Sequence, residues 1–186
     1  REGQLLVITK DSARSTVLRS SYMDYLALHL PGPDGSHVER RFLGLFMTSA
    51  LSEPVASIPV LRGKARQISA AIGYDRASYG GRSVAAAIEA HPRDDLFEAS
   101  VEELTPIIAE IADAEDPRRV ITHLRAGRWG RFISVLVHLP RERYNTSVRH
   151  QIEQLLLSVT GAQSSEWSVQ VSDAPLATLH ITLKMP

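Results

Sequence analysis

The sequence predicts an α+β fold in which antiparallel sheets carry packed helices, and the prediction rests on a few runs of the 186-residue chain. Residues 22–72 read strand, strand, helix around the turn-forming stretch PGPDGS at 31–36. Residues 118–160 read strand, turn, strand, loop and capped helix without a break. The last segment, 176–183, alternates, with Ala177, Leu179, Ile181 and Leu183 on one side, which is the pattern of a strand with one covered face.

Taken in order, 4–9, 22–30 and 39–48 are rich in β-formers and predict strands. The spacing of Leu61, Ala65, Ile68 and Ile72, with Pro59 near the start and Gly73 after the end, predicts an amphipathic helix over 58–72. A second helix over 82–91 stops at Pro92. Ser100 and Glu103 have capping-box spacing for a helix that turns Leu104, Ile108 and Ile111 inward. Pro106 lies deep in that helix, so 101–112 is read as one kinked element. Beyond Pro117 the order is strand 118–125, turn 127–130, strand 132–139, helix 147–160, strand 167–171, turn 173–175 and strand 176–183. The 147–160 helix is expected to bury Val148, Ile152, Leu155 and Val159.

From 101 onward the order α-β-β-α-β-β is a circular permutation of the ferredoxin-like β-α-β-β-α-β plan. Residues 132–139, 147–160, 167–171, 176–183, 101–112 and 118–125 then occupy its six places in turn. The strand, strand, helix order of 22–72 is consistent with a second, partial copy. The division expected is an N-terminal module with a helical extension over 1–99 and a permuted module over 100–186.

Composition is that of an ordinary globular protein, with 44% hydrophobic and 23% charged residues, and no run approaches the ~20 apolar residues of a membrane helix. The absence of cysteine excludes disulfides and thiolate chemistry. The chain begins at Arg1, with no initiator Met and no apolar leader, which points to a piece of a longer polypeptide, with the cytoplasm as the expected location. A net charge of zero conceals segregation. Glu89, Asp94, Asp95, Glu98, Glu102, Glu103, Glu110, Asp113, Glu115 and Asp116 face a single base, Arg93. Then Arg118, Arg119, Arg125, Arg128, Arg131, Arg141, Arg143 and Arg149 face a single acid, Glu142. These blocks read either as solvated, screened faces or as surfaces for self-assembly and docking; no nucleic-acid module accompanies them.

Family resemblance adds to this reading. Arg41 to Phe46 (RFLGLF), Pro92 to Phe97 (PRDDLF), Gly130 to Phe132 (GRF) and Pro140 to Thr146 (PRERYNT) stand in order along the chain. Together they resemble the amino-terminal, non-catalytic part of the large-subunit class of NAD-specific glutamate dehydrogenases. The resemblance implies ACT-like regulatory modules. It also implies that NAD and the oxidative deamination of L-glutamate to 2-oxoglutarate and ammonium belong to the rest of the parent chain, with no catalytic residue and no cofactor assigned to this segment. Its partners would be the remainder of that dehydrogenase and its other subunits, together with an amino-acid effector.

ACT modules take small molecules near the junction of their first strand and first helix, which here is 139–146. Arg141 and Arg143 offer forked donors for a carboxylate, and Asn145 or Thr146 caps a helix whose free N–H groups carry partial positive charge. The plainer reading of the same residues is a capped helix beside solvated arginines. Arg14, Ser15, Thr16 and Arg19 form a second polar, basic stretch, read as a flexible loop with anion affinity as the alternative.

No GxGxxG, GxSxG or HExxH motif occurs. The 7 histidines lack metal-ligand spacing, although His123, His138 and His180 fall on strands that can share one sheet face, where structural histidines are the expected reading. Asp94 and Asp95 read as support for a helix start, and Trp129 and Trp167 as packing groups. The functional expectation is a regulatory and assembly segment of the dehydrogenase. The alternatives are an oligomerisation module without a ligand and an independent enzyme for which no nucleophile or base stands out.

Overall fold

The computed structural model describes residues 5–17, 21–32, 34, 36–114, 118–170 and 176–186. The predicted turn at 173–175 and Arg19 lie outside the described residues. The chain divides into two compact units, Arg1–Ser52 and Glu53–Pro186.

The first unit is a three-stranded antiparallel sheet of β1 (Leu6–Arg14), β2 (Tyr22–Pro31) and β3 (His37–Gly44), in that order, followed by the short helix α1 (Thr48–Ser52). Arg14 ends β1, where its guanidinium lies 4.3 Å from the Tyr22 ring centroid. The register slips between Lys10 and Arg14. Buried Asp24 holds the sheet together locally: it accepts from the Lys10 ammonium at 2.6 Å and from the Phe46 backbone N–H at 2.8 Å.

In the second unit a helical layer comes first. A 3₁₀ turn (Val55–Ser57) leads into α2 (Pro59–Ile72), which has Pro59 at its first turn and Gly73 in the left-handed region at φ 85°, as the sequence predicts. Helix α3 (Tyr79–Ala90) starts earlier than predicted because Ser78 caps it, its hydroxyl accepting from Gly81 N–H. Gly81 permits this start: a Cβ there would sit 2.0 Å from the Asp75 carbonyl oxygen. After α4 (Arg93–Glu98) comes α5 (Val101–Ala112), whose capping box is formed in both directions by Ser100 and Glu103. Pro106 stays inside α5 as a single helical element, and Leu104 and Ile108 are fully buried.

The second sheet contains β4 (Ile121–Ala126), β5 (Phe132–Pro140), β6 (Ser164–Gln170) and β7 (Leu176–Lys184), all antiparallel in the order β4-β5-β7-β6. A 3₁₀ turn (Arg141–Arg143) and α6 (Thr146–Thr160) connect β5 to β6. With 132–139 as the first strand of the permuted plan, the fourth lies beside the first, the first beside the third and the third beside the second. The predicted α+β class and the strand order of the permuted ferredoxin-like plan are therefore the ones observed.

Some particulars differ. Helix α5 does not join α6 on one face, as the permuted plan requires. The face made by Val135, Val137, Leu139, Leu179, Ile181 and Leu183 is covered by Val148, Ile152, Leu156 and Leu157 of α6. Helix α5 lies with the helical layer on the opposite face, where Glu110 approaches His123. Strand β7 is consequently covered on both faces and not on one. The apolar stripe of α6 also runs one row over from the predicted one: Leu155 and Val159 are 62% and 75% exposed. The 3.6-residue repeat allowed either row, and packing on the sheet turns Ile152 and Leu156 inward.

Candidate functional site

The face of the second sheet under the helical layer is polar where the opposite face is apolar. Cross-strand register places His123 and Arg125 of β4, Ser134 and His138 of β5, and Thr178 and His180 of β7 on this one face. The predicted convergence of His123, His138 and His180 is thus realised. Ser134 Oγ lies 3.0 Å from His180 Nε2, and His138 Nδ1 lies 3.0 Å from Thr178 Oγ1. The His123 and His138 rings meet edge-on with centroids 6.2 Å apart.

Helix α4 answers this face with Asp95, which is 2% exposed. One carboxylate oxygen is 2.8 Å from His91 Nε2, and the other accepts from Arg125 Nη2 at 2.6 Å and Nε at 3.1 Å. Arg125 also donates to Glu98 at 3.1 Å. Burial alone would raise the Asp95 carboxyl, but the His91 hydrogen bond and the Arg125 charge outweigh it and hold the group well below the usual carboxylate range. Burial lowers Arg125, and the Asp95 and Glu98 carboxylates more than compensate, so the guanidinium ends above its ordinary value.

Lys64 of α2 closes the far side of α4. Its ammonium donates to the carbonyls of Leu96, Phe97 and Ala99 at 2.6, 3.1 and 2.6 Å. Burial pushes it down to about 8. Arg93 binds the Glu89 side chain and the carbonyls of Glu89, His91 and Glu53, while Glu89 accepts from the Val55 backbone N–H. The PRDDLF segment is thereby fastened at each end, and its Asp95 serves the sheet as well as the first turn of α4.

The predicted junction residues occupy the other end of β5. Arg141 and Arg143 are exposed in the 3₁₀ turn, Asn145 Oδ1 caps α6 by accepting from Val148 N–H at 2.9 Å, and exposed Thr146 is the first helical residue. Tyr144 between them packs on the core under α6. Nearby, Arg149 pairs with Glu153 at 2.7 Å and lies 4.4 Å over the Trp167 ring. Trp129 and Trp167 are both about half exposed, Trp167 acting as a platform for that guanidinium where packing alone was expected.

Sequence reasoning missed Asp95 and Arg125 as partners. The signal present was His91 four residues before Asp95, and Arg125 in phase with Ile121 and His123 on a strand whose other positions are exposed. The acidic and basic blocks, read as external surfaces, partly satisfy each other inside this unit through Asp95, Glu98 and Arg125 and through Glu110 and Arg119. Among the described residues no group of His, Asp and Glu is arranged to hold a metal ion.

Strand order and the α6-covered face define an ACT-like module that carries a helical motif on its second face. Family models agree: "Glutamate dehydrogenase, helical motif 1" matches residues 58–116 and "Glutamate dehydrogenase, ACT2 domain" matches 122–186. The chain belongs to the amino-terminal, ACT-like region of the NAD-specific glutamate dehydrogenase class. It is 33% identical over 186 residues to the NAD-specific glutamate dehydrogenase of Pseudomonas aeruginosa, covering 100% of this chain and 12% of that protein. Against the proteins of the same name from Mycobacterium tuberculosis and Halomonas elongata it is 32% and 30% identical, covering 100% and 97% of this chain and 11% of each relative. The chain therefore spans about a tenth of the length of the curated relatives it matches.

Proposed function

We infer that this segment regulates or assembles an NAD-dependent glutamate dehydrogenase, with oxidative deamination of L-glutamate to 2-oxoglutarate and ammonium carried by the rest of the parent chain. The observation that supports this most is the adjacency of two glutamate dehydrogenase domains, helical motif and ACT2, on opposite sides of one stretch of sequence and joined by a buried ion cluster. NAD is assigned to the parent outside this segment, the remaining parent chain and its subunits are the partners, and the cytoplasm is the location. No helix of the described residues is long and apolar enough to cross a membrane.

Within this reading an amino-acid effector binds at the junction of β5 and α6 through Arg141, Arg143, Asn145 and Thr146. The Arg143 side chain meets the effector carboxylate, and the start of α6 adds its partial positive charge. The test is the initial rate of the full-length dehydrogenase against each proteinogenic amino acid, in the parent and in Arg143→Ala. A rate response to one amino acid that the substitution abolishes supports the site; a response identical in both proteins removes it. The alternative, an oligomerisation module without a ligand in which a second copy covers α6, draws on the exposed Leu155 and Val159. It predicts that Leu155→Asp with Val159→Asp lowers the subunit number of the parent without altering any amino-acid response.

A further inference from the structure

We draw no further inference here: the strongest candidate, the exposed apolar patch that Leu155 and Val159 of α6 and Leu124 of β4 present on the α6-covered side of the second sheet, carries nothing because nothing in the structure shows what covers it.

Discussion

Asp95 is the residue whose surroundings demand most, because a carboxylate sealed from water is stable only while His91 and Arg125 remain on it. Removing one member of a buried pair strands the other, so Arg125→Ala is expected to destabilise the chain by about 3–5 kcal/mol in urea denaturation, whereas exposed Arg119→Ala shifts it by less than ~1 kcal/mol. A cost at Arg125 no larger than that at Arg119 would mean that water reaches the cluster. The folded-state value of Asp95 lies below the ordinary 3.8, so its contribution is complete above that pH and is lost as pH falls beneath it. His138 acts in a higher window. Its folded value of about 4 lies below the ordinary 6.5, so the unfolded chain binds the proton first and stability drops as pH falls from 6.5 towards 4, by on the order of 3 kcal/mol in all. His138→Gln is expected to flatten this slope in denaturation curves measured between those limits; an unchanged slope would assign it to another group.

The elements of the helical layer were legible because their ends are written locally. Pro59, Gly73, Ser100 and Glu103 act within one turn of themselves, and each does in the structure what its type and position predict. The start of α3 was not legible, since Gly80 and Gly81 are poor helix formers and only the approach of the 75–78 turn makes Gly81 a requirement. Gly81→Ala is therefore expected to destabilise by about 1–3 kcal/mol despite its better helix propensity, and a gain in melting temperature would show that the turn yields. On α6 the sheet chose the row. Leu155→Gln is expected to change stability by no more than about 0.5 kcal/mol, against about 2–5 kcal/mol for Leu179→Ala in the core beneath, both read from thermal melts.

At the scale of the whole molecule, the Glu53–Pro186 unit has an apolar core on one sheet face and an ion-paired polar layer on the other. Expressed alone, it is expected to unfold in one cooperative transition that follows the far-UV circular dichroism and the Trp fluorescence together; two separate transitions would show that the helical layer and the sheet are independent. What local sequence determined was the order of strands and helices, their caps and the strand sequence of a permuted ACT-like sheet, because alternation, capping residues and turn formers each act within a few positions. The five residues of the β4–β5 and β5–β7 polar face whose partners lie far along the chain were decided by tertiary structure. The same holds for the side of the sheet taken by α5 and the row of α6 that faces inward. Asp95 meets Arg125 across 30 positions and Ser134 meets His180 across 46, and only closure of the sheet against the helical layer brings such charges and hydroxyls within bonding distance and out of water.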